Sequence, residues 1–537
     1  MNNFWGTLPK NYKYVTHVRV TITNSFLFNT LSMASKIFIG DMPELMENIL
    51  NNLNNEIYSL YSCALVSRHW CKMSIPILWQ DPFSFEQDPL FITKYFSSLG
   101  EDEKFVLKEC GINAEFPKTL FDYARFLKVL DLSSLESKVR KWIDFQFSGS
   151  RTDYNQSVYR IINLLLKLFV ESGATLHKLN LYFLDYEIKP EIFHALGRNE
   201  QSFSRLQNLS LSIVSEFSTD NTAALLKILA KNATKISSLK FNGFCSDYDE
   251  PQLFHAFISM IKSQEQLKQF SLVCEDYLTE FHGIISTLES QKNSLQEVIL
   301  ENCACSVEFE ILKDCKKLEI VRIKDCDYPK LLKLLNCKIN ILELVDFQIN
   351  ASAIVQILEK SGLLLQRLKL ESDEGIWEEL LLLETLRSFC PNITYLNISY
   401  IGFSTQLLEL IGNLQKLQFL SLWCVVYSIP KNELKIRVKR FAEMLSPTLQ
   451  YLDLSINIWL KPYIDILLNH CNAPLKKLLI SHLDSKKNSK ALVEFCRRNN
   501  TLNYVGVDRY FSLKDNIKKE VEAYVTLVPP ERIIVNC

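Results

Sequence analysis

Fifteen cysteines and eight histidines are the side chains of this 537-residue sequence best suited to metal binding or nucleophilic chemistry. Their spacing supports neither. Cys303 and Cys305 form the one C-x-C, and no C-x-x-C or paired-histidine spacing completes a tetrahedral zinc set. The histidines, from His17 to His482, stand in no nucleophile–base–acid order, and there is no G-x-S-x-G, H-E-x-x-H or phosphate-cradling glycine loop. Cys390 and Cys496 lie in helical patterns with no neighbour that would stabilise a thiolate. No catalytic residue, no metal and no cofactor is therefore expected, and the chain reads as a non-enzyme. An odd number of cysteines cannot pair completely, which favours a reducing compartment, cytoplasmic and/or nuclear.

The elements that carry these residues are apolar and leucine-rich. Leucine makes up about 15% of the chain, well above its ordinary share. Lys+Arg number 60 against 61 Asp+Glu, so the net charge of −1 lacks the basic footprint that nucleic-acid or acidic-membrane binding requires. No apolar run reaches the roughly 18 residues of a membrane span, and the Leu380–Leu383 run is closed by Glu384. Residues 1–40 read as an extension, of which residues 1–32 are expected to be dispensable or not translated at all, with Met33 a natural start before the first helical pattern.

One template, apolar-x-x-apolar-x-apolar, recurs about fourteen times from residue 127. It opens at Leu127-Val129-Leu130-Leu132 and Leu176-Leu179-Leu181, and it closes at Leu475-Leu478-Ile480 and Leu502-Val505-Val507. Between matches lie helical patterns such as 223–229, 254–258, 354–358 and 407–411. A strand followed by a helix, repeated, resembles the leucine-rich-repeat family, in irregular form without a strict asparagine ladder. That resemblance implies an α/β fold, a curved solenoid with parallel strands on the concave face and helices on the convex face. Cys303 and Cys326 fall in the slot this repeat gives to Asn or Cys.

Residues 41–82 have a different pattern. Asp41 with Glu44 suggests a capping box, Pro43 suits a first turn, and Leu45, Ile49 and Leu53 share one helical face with Leu50 beside them. A second helix follows from Ile57 through Leu65 and Val66, and Pro76 is expected to end a third before Leu78-Trp79. About forty residues cannot bury so apolar a helix set against itself, which predicts a partner surface. Met42-Pro43-Glu44-Leu45, Ile49-Leu50-x-x-Leu53, Leu65-Val66-Ser67-Arg68-x-Trp70 and Leu78-Trp79 resemble an F-box, with Met42 where that family usually has Leu. The resemblance implies docking to the Skp-type adaptor of a cullin-based ubiquitin ligase of the SCF type. It maps the contacts onto Pro43, Leu45, Ile49, Leu50, Leu53, Leu65, Val66 and Trp70. The alternative is packing within the module, the reading preferred for Trp70 and Trp79.

The expected layout is an extension (1–40), an F-box (41–82), a linker or degenerate first repeat around Phe105-Val106-Leu107 (83–126), the repeat solenoid (127–510) and a C-terminal cap (511–537). In such repeats the residues between buried strand leucines face solvent. Tyr395, Phe419 and Tyr451 occupy one such position on successive strands about 4.8 Å apart, with Trp423 on the same side, and are the candidate substrate-binding set. The competing reading is an aromatic ladder that stabilises the sheet or is covered by a C-terminal segment. Two functions remain open: a substrate-recognition subunit holding an unknown protein target for ubiquitination, and a protein-interaction scaffold without that role.

Overall fold

The computed structural model describes residues 43–53, 56–85, 88–112, 116–146, 154–182, 199–212, 219–244, 251–426, 429–481, 483, 485–507, 515–530 and 533. The extension 1–40, Asp41 and Met42 lie outside them. The chain divides into two compact units, Met1–Phe241 with Asp249–Leu267, and Asn242–Tyr248 with Lys268–Cys537.

The first unit begins with three helices, α1 (Pro43–Asn51), α2 (Ile57–Ala64) and α3 (Arg68–Leu78). Met46 and Leu50, four apart on α1, turn inward with Leu60, Trp70 and Ile77 to form the module's own core. Ser67 caps α3 by accepting the Trp70 N–H at 3.3 Å, which sets the tryptophan on the inward side of the first turn. Pro76 does not end α3 as its type suggests. It lies inside the helix, which runs on to Leu78 although the proline supplies no N–H of its own to the ladder.

The next segment is helical rather than a degenerate repeat. Phe105, Val106 and Leu107 lie in the helix Glu101–Glu109, which follows a 3-10 helix over Pro89–Ser98. Tyr95 on the 3-10 helix and Tyr123 further along form an aromatic layer around Trp79, whose ring centroid is 4.0 Å from that of Tyr123 and 5.3 Å from that of Tyr95. Part of the apolar surface the short module cannot bury alone is thus covered within the chain. The Gln80 carbonyl accepts the N–H groups of both Lys128 and Val129 at 2.9 Å, so the module's exit lies beside the first strand.

From there strand and helix alternate. The first unit holds β1 (Val129–Asp131), β2 (Lys178–Tyr182), β3 (Asn208–Ser212) and residues 238–241 of β4 (Ser238–Phe244), in that order. The second holds β5 (Gln269–Leu278), β6 (Glu297–Cys303), β7 (Ile320–Lys324), β8 (Ile341–Asp346), β9 (Arg367–Ser372) and β10 (Tyr395–Gly402). It continues with β11 (Phe419–Val425), β12 (Tyr451–Leu454), β13 (Lys477–Ile480), β14 (Tyr504–Val507) and β15 (Thr526–Val528). Each of these strands of the second unit pairs in parallel with the next one named, while two short strands, Ile349–Asn350 and Ile376–Trp377, pair with each other in a separate sheet. This is the α/β leucine-rich-repeat solenoid fold, read from strand order and register.

Register puts the template leucines in line. Leu368, Leu396, Leu420, Leu452, Leu478 and Val505 are mutual partners, and all are buried between the strands and the helices. Each such side chain contributes about 1.5–3 kcal/mol by leaving water. The Asn-or-Cys slot is structural: Cys303 N–H donates to Cys326 Sγ at 3.2 Å, and Cys326 Sγ–H donates to Lys324 O at 3.1 Å. In a later repeat Asn457 has the comparable role, fully buried, donating to Leu422 O and Leu454 O and accepting from Cys424 N–H.

Candidate functional site

Two surfaces emerge from this framework. On α1, Leu45 and Ile49 form the stripe adjacent to Met46 and Leu50, and they are 39% and 41% exposed. The turn after α2 presents Leu65 (67% exposed) and Val66 (54%), held by the bonds Leu65 N–H to Ser62 O and Val66 N–H to Cys63 O. The eight residues assigned by F-box resemblance therefore separate. Leu45, Ile49, Leu65 and Val66 face solvent, whereas Leu50 and Trp70 are core and Leu53 packs against that core. Leu50 and Trp70, which the resemblance also names, thus lie where the packing alternative put Trp70, in the module's own core. Pro43 opens α1.

The second surface is the strand face of the second unit, where successive outward positions change character. At β6–β8 it is ionic. Arg322 bridges Glu297 at 2.6 Å and Glu343 at 3.2 Å, and burial pushes the Glu343 carboxyl above its ordinary range despite that arginine. On β9, Lys369 pairs with Glu371 at 3.0 Å, and Glu371 also accepts from Asn397 Nδ2. Arg367 lies over the Tyr395 ring, its Cζ 4.6 Å from the centroid.

At β10–β12 the face is aromatic. Tyr395 stacks on Phe419 with centroids 4.1 Å apart, and Phe419 on Tyr451 at 4.0 Å. The expected ladder is present, but it is not the open patch of the substrate-binding reading. Tyr395 and Tyr451 are buried and Phe419 is half-buried, because Tyr451 and Phe419 pack with Leu479, Val528 and Ile533. Val528 and Ile533 belong to the C-terminal segment, so the covered-ladder alternative describes this end of the face. Trp423 is also half-buried and stands edge-on to Tyr400 at 5.1 Å, apart from the stack. Asp453, beside the ladder on β12, accepts from Ser455 N–H at 2.9 Å and Ser455 O–H at 2.7 Å. Burial nonetheless holds its carboxyl above the ordinary value of 3.8.

Among the described residues no group of three or more His, Cys, Asp or Glu side chains could hold a metal ion. Their thirteen cysteines are unbridged, and burial pushes the Cys390 thiol up to about 12 and the Cys496 thiol up to about 11. Neither is a thiolate near neutral pH. No helix of the described residues is long and apolar enough to cross a membrane.

No protein-family model matches the chain, and no curated protein matches it in sequence. Among solved structures it is similar to a chain in the crystal structure of the Rad7–Elc1 complex of yeast. The identity is 13%, the match covers 74% of this chain and 93% of that one, and the TM-score is 0.43. A leucine-rich-repeat protein of Leptospira interrogans matches at 16% identity over 67% of this chain and 97% of that one, with a TM-score of 0.33. A Bacteroides fragilis protein matches at 11% identity over 60% and 74%, with a TM-score of 0.23. The chain's own strand order defines a leucine-rich-repeat fold, preceded by a three-helix module.

Proposed function

We propose that this chain is a non-catalytic substrate-recognition subunit of an SCF-type ubiquitin ligase. The helical module docks a Skp-type adaptor and through it a cullin scaffold, while the repeat array holds a protein target within reach of a separately bound conjugating enzyme. Its contribution is proximity, which raises the effective concentration of target lysines without supplying a reacting group. The observation that carries this reading is the set of four apolar side chains, Leu45, Ile49, Leu65 and Val66, left in solvent beside the module's buried core of Met46, Leu50, Leu60, Trp70 and Ile77.

Titration of purified Skp-type adaptor against the full chain tests it. Binding is expected for the wild type and at least a tenfold loss for Leu65→Asp/Val66→Asp, the scale of removing two apolar anchors. Absence of adaptor binding by the folded wild type would leave the scaffold reading, in which the repeats bind proteins without a ligase role.

A further inference from the structure

The C-terminal segment does more than end the sheet. β15 pairs with β14 through Val528, and Pro529-Pro530 follow, two residues with no N–H to continue the ladder. The chain then turns, Ile533 N–H donating to Pro530 O at 2.9 Å, and the Ile533 side chain comes to rest on the strand face. There it packs with Tyr451, Leu479 and Val528, at the end of the Tyr395–Phe419–Tyr451 stack.

Gly506 makes the room. It lies in register between Leu479 and Val528, and a Cβ at this position would stand 3.0 Å from Ile533 Cδ1 and 3.1 Å from Leu479 Cγ. Its φ is not in the left-handed region, so the glycine answers a need for space rather than for an unusual backbone conformation. The result is a subsite for one branched aliphatic side chain, with a glycine floor, aliphatic walls and an aromatic end.

We propose that Ile533 is an exchangeable occupant of this subsite, standing in for a branched aliphatic side chain on an extended segment of the target protein. Among the described residues the Ile533 N–H bonds locally, to Pro530 O, so release of the side chain breaks no described ladder bond. Release of one buried aliphatic side chain corresponds to a roughly 10- to 100-fold change in an equilibrium, a range that a competing segment can supply. The segment covers one end of the face; Phe419 and Arg367, both half-buried, continue it toward β9, where the rest of a bound segment would lie. The inference rests on reading the strand face as the target-binding surface.

The test uses the full chain and a fluorescein-labelled peptide of residues 529–536, read by anisotropy. Ile533→Asp empties the subsite and is expected to bind the peptide about tenfold or more tightly than wild type, which keeps its own Ile533. The same peptide with Asp in place of its Ile533 should not bind, and adding Gly506→Ala to the Ile533→Asp chain should abolish binding by filling the floor. If the aspartate variant fails to fold, Ile533→Ala opens the same subsite by truncation and decides the question. Equal binding by wild type and the opened chain, or equal binding of the two peptides, would overturn the proposal. None of this requires the adaptor: peptide binding by an opened chain that ignores the adaptor would keep the inference and remove the ligase reading.

Discussion

Leu45 and Leu50 are both leucines of one short helix, and a single rotation about its axis separates their roles. Leu50 is fully buried against Leu60 and Trp70, whereas Leu45 meets water. Leu50→Ala is therefore expected to destabilise by about 2–5 kcal/mol, and Leu45→Ala to stay within about 0.5 kcal/mol, in urea unfolding of the full chain. Similar losses for both would contradict the assignment of faces. The sequence pattern marked both residues as apolar at helical spacing but did not say which stripe faced inward, because that depends on where α2 and α3 pack. Asp453 gives a pH prediction at the same scale. Burial raises its folded-state pKa above the unfolded value, so the native state binds the proton more readily, and stability is lost as pH rises through that window. Asp453→Asn should thus raise Tm at about pH 7, with the gain vanishing below about pH 4. An unchanged pH slope would refute it.

At the scale of elements, the repeats were legible because the template leucines recur in chain order and each template strand of the second unit pairs with the template strand that follows it. Every one of the fourteen template matches coincides with a strand, from β1 to β14. β15 escaped notice because Thr526-Leu527-Val528 is cut short by two prolines and shows too little of the template. Phe105-Val106-Leu107 imitated a strand but belongs to a helix that places Leu107 in the core and Phe105 in solvent. Burial of the aromatic ladder was open in the sequence because its cover, Ile533, lies far along the chain from Tyr451. Asn457 shows how adjacent repeats are locked, since its amide satisfies backbone groups on both β11 and β12. Asn457→Ala leaves the Cys424 N–H and the Leu422 carbonyl buried without that partner, at a cost of about 1–3 kcal/mol for each orphaned group. Hydrogen exchange at the Cys424 amide should accelerate in that variant; unchanged protection would show that the lock lies elsewhere.

Across the whole molecule, a net charge of −1 and an excess of leucine suit a chain that recognises proteins by shape and local chemistry rather than by long-range attraction. The strand face of the second unit passes from paired ions at β6–β9 to stacked rings at β10–β12 and an aliphatic end at β13–β15, so a bound segment would meet all three in turn. The helical module carries the other apolar surface, and the claim that joins them is that one holds the adaptor while the other holds the target. Hydrogen–deuterium exchange of the full chain with and without the Skp-type adaptor tests this most directly. New protection is expected in the peptides containing Leu45–Ile49 and Leu65–Val66, with β10–β14 unchanged. No complex, or protection on the strand face with the module unchanged, would contradict it.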